Sequence, residues 1–252
     1  LELKIHSIRA VAIAILLWNV YASAQALHKA PSGAQSINSY ASCYEESTGK
    51  LIGSRRSRTT VLVSPDGRFR AYAESEALAS DRDHAGSAEC QNTSRLLVAN
   101  AANQPFRVVL DLTPSPEMLG NSIDLIDWSP KGHRLLLGQG VGQWGSDAGA
   151  TTTRIYDADT GRLSSEGFVE KAFRDNFGVH CIGVFQPVGY SPKGAAVIKA
   201  GPYFDVGEEG AAKESCVRKE GLWMVDPETP RVDPLPPQYK GQHYGKSASA
   251  AP

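Results

Sequence analysis

The 252-residue sequence is poor in the residues that most often announce chemistry. It holds four cysteines, Cys43, Cys90, Cys181 and Cys216, and none of them forms a C-x-x-C pair. Its six histidines nowhere stand as H-x-H. These gaps argue against a zinc site and against a thioredoxin-type redox motif, and neither metal nor cofactor is expected. Basic excess is missing as well: 26 Lys and Arg face 27 Asp and Glu, for a net charge of −1. Without that excess no counterion release drives binding to phosphate, so nucleic acid is not an expected partner. No G-x-S-x-G elbow is present to expose a serine nucleophile. Nor does the apolar run from Ala10 to Val20, interrupted by Asn19, reach the roughly 20 residues of a spanning helix.

That short run has another reading. Lys4, His6 and Arg9 precede it, and Ala22-Ser23-Ala24 follows it in the small-x-small form that signal peptidase cleaves. The order is that of a secretory signal over residues 1–26, with a linker over 27–38. No cysteine follows the cleavage region to carry a lipid. The mature chain is therefore expected in the periplasm or outside the cell, without a transmembrane span. An even number of cysteines in an exported chain predicts two disulfides, and four cysteines allow three pairings.

What the sequence does have is a repeat. Ser64-Pro65-Asp66-Gly67, Ser129-Pro130-Lys131-Gly132 and Ser191-Pro192-Lys193-Gly194 recur at spacings of 65 and 62 residues. In each, proline presets φ at the second position, serine can cap from the first, and glycine accepts positive φ at the fourth. Apolar, strand-like segments flank every turn: Thr60 to Val63 and Arg68 to Ala73, Ile123 to Trp128 and His133 to Leu137, Val184 to Tyr190 and Ala195 to Ala200. These predict hairpins. A second hairpin follows at Tyr156 to Leu163, with counterparts at Val98 to Asn103 and Met224 to Thr229. Two hairpins per repeat make a four-stranded unit.

An aromatic or apolar residue, then Ser-Pro-Asp/Lys-Gly and a β-rich run, resembles the repeat of TolB-like and related WD-like β-propellers. Trp128 and Tyr190 match the aromatic position of that pattern, and Val63 departs from it. The resemblance spans residues 39–238 and implies an all-β fold, with 239–252 a disordered tail. Cys43 to Leu51, with Ser-Thr-Gly-Lys-Leu against Asp-Thr-Gly-Arg-Leu, resembles another second hairpin. The expected architecture is thus a partial or small β-propeller of about three and a half four-stranded blades. Either its missing strands are unrecognisable, or the ring is open, or two chains complete one another as a homodimer.

The repeat map also orders the cysteines. Cys90 lies 26 residues after Ser64 and Cys216 lies 25 after Ser191, each at the end of a loop longer than its counterpart in the second repeat, which has no cysteine. This equivalence predicts Cys43–Cys90 and Cys181–Cys216.

Candidate ligand contacts fall in the long loops. Asp81, Asp83 and His84 lie in that of the first repeat, Asp205, Glu208 and Glu209 in that of the third. Trp144 sits in Gly140-Val141-Gly142-Gln143-Trp144-Gly145, which satisfies G-x-G-x-x-G. A dinucleotide site would need a helix opening there, whereas a loop and a threonine-rich strand follow. Loops on one rim of such a scaffold are where ligand contacts are displayed. The expectation is an exported, non-catalytic protein that binds a protein, peptide or glycan through its rim loops. The alternative is a hydrolase of peptidase or glycosidase type with residues on the same loops. No catalytic residue is nominated.

Overall fold

The computed structural model describes residues 37–45, 47–80, 89–100, 104–115, 120–142, 149–203, 215–229, 231–239 and 241–248. Two short strands lead, β1 (Ile37–Asn38) and β2 (Arg55–Arg58). Three four-stranded antiparallel meanders follow. The first is β3 (Val61–Val63), β4 (Phe69–Ala79), β5 (Cys90–Asn100) and β6 (Arg107–Leu112). The second is β7 (Gly120–Trp128), β8 (Arg134–Gly142), β9 (Gly149–Asp157) and β10 (Arg162–Leu163). One helix, α1 (Phe168–Phe177), leads to the third, β11 (Val184–Tyr190), β12 (Ala196–Gly201), β13 (Gly221–Val225) and β14 (Val232–Pro234). A last strand, β15 (Lys246–Ala248), pairs with β3 in the first sheet. The described residues form an all-β fold with a single short helix.

The three Ser-Pro turns form by one mechanism. Each serine hydroxyl accepts a backbone N–H from beyond the turn: Phe69 to Ser64 at 3.0 Å, Arg134 to Ser129 at 3.1 Å, Ala195 to Ser191 at 3.1 Å. Each glycine donates its N–H back to the serine carbonyl at 2.8–2.9 Å, and their φ values are 74°, 77° and 88°. All three serines are buried because the turn folds over them. The later hairpins share a device too. Asp157 accepts the N–H and hydroxyl of Thr160, and Asp226 accepts the N–H of Glu228 and the hydroxyl of Thr229.

The second sheet lies between the other two. Its Leu135, Leu136 and Leu137 are all fully buried although successive strand residues point to opposite faces. Leu135 and Leu137 join Ile123, Leu125, Trp128 and Tyr156 in a core shared with Phe69, Leu96 and Val98 of the first sheet. Leu136 joins Ile126 and Ile155 in a core shared with Phe185, Tyr190 and Ile198 of the third. The repeat aromatics plug these contacts: Trp128 stacks on Phe69 at 5.9 Å and donates its indole N–H to the Leu62 carbonyl at 3.1 Å. Tyr190 is fully buried in the second core. Ion pairs repeat as well, from Arg68 after the first turn to Asp159 of the second sheet and from Arg134 after the second turn to Glu228 of the third. Successive sheets therefore stack in the same sense.

Several expectations are revised. Cys43 to Leu51 is not half a sheet. It is a small hairpin with one bridge, Tyr44 to Leu51, outside all three sheets; most of its residues are exposed, and Cys43 is held against Cys90 instead. The count is three four-stranded units. The linker read over 27–38 contains β1, which pairs with β7. The segment read as a tail contains β15, because residues 242–245 are fixed on the way to it: Gln242 bridges Tyr190, and the buried Asp127 carboxylate accepts the N–H groups of Tyr244 and Gly245. Helix α1 has no counterpart in the repeat pattern; Val169, Ala172 and Phe173 form its buried stripe, with Phe173 4.4 Å from the Phe185 ring. The leader over 1–26 lies outside the described residues.

Candidate functional site

The cysteines pair as Cys43–Cys90 and Cys181–Cys216, with Cα atoms 5.6 and 4.9 Å apart. Each bond ties the far end of a long loop, and the necks of those loops are defined. Ser80 and Glu89 close the first by two hydrogen bonds, Ser80 N–H to the Glu89 carbonyl at 2.8 Å and Glu89 N–H to the Ser80 hydroxyl at 2.9 Å. Gly142 and Gly149 are paired at the base of the second. At the third, Ser215 bridges Ile182 beside the Cys181–Cys216 bond. All three loops join the second strand of a sheet to the third, so they emerge at the end opposite the Ser-Pro turns.

Asp81, Asp83, His84, Trp144, Asp205, Glu208 and Glu209 lie outside the described residues. Only the first three residues of the G-x-G-x-x-G segment are described. Gly140 and Gly142 belong to β8, and Gly149 opens the antiparallel β9 rather than a helix. Residues 143–145 of the motif lie outside the described residues.

A groove of about 290 Å³ lies on the face of the first sheet turned away from the second. Arg56, Arg58, Glu74, Glu76, Thr93 and Arg95 line it. They come together because strand residues of matching register share a face. Arg58 faces Glu74, Glu74 faces Arg95, and Arg95 faces Asp111; one step along, Arg56 faces Glu76 and Glu76 faces Thr93. Arg56 donates twice to Glu76, at 2.8 and 3.0 Å, and Arg95 donates to Asp111 at 3.2 Å. Arg58 makes no ion pair among the described residues; its guanidinium lies 3.5 Å over the Tyr72 ring. Burial raises the Tyr72 phenol, with Arg58 opposing and Glu74 reinforcing that shift. Sequence reasoning passed over these residues, whose signal was period-2 charge: Arg56 and Arg58 on one strand, Glu74 and Glu76 on the next.

Behind this face the sheets meet on polar groups. Ser39, Ser75 and Ser94 form a chain of hydroxyl contacts at 3.0 and 2.5 Å that ends on the Ile123 and Asn121 carbonyls. It ties the first sheet to β1 and β7. Asn92 of the formal Asn92-Thr93-Ser94 sequon is buried and donates to the Ala41 carbonyl at 2.5 Å, which leaves its amide inaccessible in the folded protein. Among the described residues no group of three His, Cys, Asp or Glu is placed to hold a metal ion, and no helix is long and apolar enough to cross a membrane. No protein-family model matches the chain, and no curated protein matches it.

Proposed function

We propose that the chain is an exported, non-catalytic binding protein of TolB-like β-propeller type that recognises a protein, peptide or glycan through the loops at one end of its sheets. The observation that carries this reading is the difference between the two ends. At one end every sheet closes in a tight four-residue turn with its polar groups satisfied internally. At the other, each sheet opens into a longer connection held at its neck, in two cases next to a disulfide. A rigid base displaying variable loops is the arrangement by which scaffolds present contact residues. Export is supported by the leader sequence together with two cysteine pairs at bonding distance.

The outer face of the first sheet favours an array that ends there over one continued by a second copy. At the position where the second and third sheets offer Trp128 with Leu135, and Tyr190 with Ala196, to the preceding sheet, the first offers Val63 with Arg70. A charged residue in place of leucine or alanine marks a face turned to water or to a polar partner, as on the terminal unit of a repeat array.

The test is to probe peptide and glycan arrays with the purified protein and with a variant whose residues 81–88 are replaced by a Gly-Ser linker. Binding that is lost in the variant at unchanged melting temperature supports the reading. Turnover of a peptide or glycoside that disappears on Asp83→Asn or His84→Ala would replace it with the hydrolase alternative.

A further inference from the structure

The first sheet has one length of edge that the rest of the chain leaves unpaired among the described residues. β15 covers β3, with Ala248 opposite Val61 and Lys246 opposite Val63. β2 lies further along the same side of β4 and pairs with β4 alone. Thr59, which separates the two, donates its N–H to the Ala73 carbonyl at 2.9 Å and accepts the Ala73 N–H on its hydroxyl at 2.9 Å. That contact fixes the phase of the ladder. Alternate residues of an antiparallel strand bond inward, so Ser57 and Arg55 bond to β4 while Arg56 and Arg58 turn their N–H and C=O groups outward. A cleft of about 120 Å³ is lined by Arg55 to Ser57 and by Tyr40 to Ser42.

Proteins normally cover or blunt such an edge. Arginine at three of the four positions of β2 does blunt it against one partner, a second copy of itself, since two such edges would bring like charges together. The same arginines select another. The row across the sheet runs Asp111, Arg95, Glu74, Arg58, each charge opposite in sign to its neighbour, and Arg58 stands last among the described residues. In the adjacent row Arg56 stands last beyond Glu76. The next strand in this ladder would meet Arg58 and Arg56 with residues two apart on one face, and the sign that continues both rows is negative.

We propose that the outer edge of β2 is a strand-addition site for an extended peptide segment of a partner protein carrying two acidic residues at positions i and i+2. Main-chain bonds to Arg56 and Arg58 supply attachment, and the two carboxylates supply selectivity by pairing with the same two guanidinium groups. Tyr72 holds the Arg58 guanidinium flat, so little side-chain freedom is lost on binding. The site is distinct from the loops at the sheet ends, and its failure would leave the loop-binding reading intact.

The experiment is fluorescence polarisation of the full-length protein with a labelled ten-residue probe alternating Glu with Val and Thr. Comparison probes replace Glu by Lys, or carry N-methyl groups on the two Glu residues, which keeps the charge but removes the main-chain donors that would face Arg56 and Arg58. The proposal expects saturable binding of the Glu probe alone, weakened by salt. Arg56→Ala with Arg58→Ala should lower the affinity roughly five- to tenfold, the loss of two cross-strand charge pairs. Arg56→Glu with Arg58→Glu should exchange the preference to the Lys probe; binding of that probe also shows the variant to be folded. Equal binding of the N-methylated and unmethylated Glu probes would overturn the proposal in favour of surface charge alone, and an Arg56→Ala, Arg58→Ala variant that binds unchanged would overturn the site.

Discussion

The Asp127 carboxylate accepts the backbone N–H of Gly245 at 2.8 Å across 118 residues of sequence, and in doing so fastens the end of the chain to the first strand of the central sheet. It also accepts the N–H groups of Tyr244 and Trp128, and it is almost fully buried. Asp127→Ala leaves those donors without acceptors, and we expect a loss of about 3 kcal/mol in urea unfolding together with faster trypsin cleavage after Lys246.

Burial raises the Asp127 carboxyl above its ordinary value of 3.8, although the N–H groups of Gly245, Tyr244 and Trp128 and the nearby His243 pull the other way. A raised acid binds its proton more tightly in the folded state. Its contribution is therefore greatest below the ordinary carboxylate value and declines as pH rises through the folded one. Subtracting the stability of Asp127→Asn from that of the native protein across pH 3.5 to 6.5 should give a difference that falls with rising pH; a difference that grows would reverse the assignment.

Gly132 and Gly194 both hold positive φ, yet they differ in surroundings. A methyl group on Gly132 would lie 2.6 Å from Asp66 Oδ1, whereas one on Gly194 would meet nothing within 4 Å. Asp66 is not free to yield: burial works upward on its carboxyl, but hydrogen bonds from Ser64 and Arg68 outweigh it and hold the value at about 2. Thermal unfolding should show Gly194→Ala costing about 1 to 2 kcal/mol, the strain of φ alone, and Gly132→Ala costing more.

The two repeat aromatics should respond differently to loss of their polar atom. Trp128→Phe keeps the stacking on Phe69 but removes the indole hydrogen bond to the Leu62 carbonyl, for a cost of about 1 kcal/mol. The Tyr190 hydroxyl is buried and meets no hydrogen-bond partner among the described residues, so Tyr190→Phe should be neutral or stabilising in the same assay.

Replacing Cys43 and Cys90 together by serine opens a closure of 47 residues and should lower stability by about 4 kcal/mol. The melting temperature of the unmodified protein in reductant should fall toward that of the variant.

The hairpins were legible because the Ser-Pro-x-Gly turns carry their own chemistry. Strands predicted on either side of Ser64, Ser129 and Ser191 match within one residue at the turn, while β4, β7 and β8 run three to six residues further from it, and the cysteine pairing followed from equivalent positions around those turns. Features that depend on distant partners were not legible. β15 is strand because Asp127 and β3 receive it, and its own Lys-Ser-Ala sequence has no strand preference. Helix α1 is stabilised by Phe185 and Trp223, which lie in other elements. The charged ladder was missed for a related reason: Arg56 and Glu76 are ordinary surface residues until register places them opposite each other.

Which end of the array meets a ligand can be read directly from backbone amide chemical shifts, by titrating the isotope-labelled protein with the tightest hit from the arrays. The account predicts perturbations concentrated around the loop necks, at Ser80, Glu89, Gly142, Gly149 and Ser215. Perturbations confined to the opposite end, at Gly67, Gly132 and Gly194 and their turns, would contradict it.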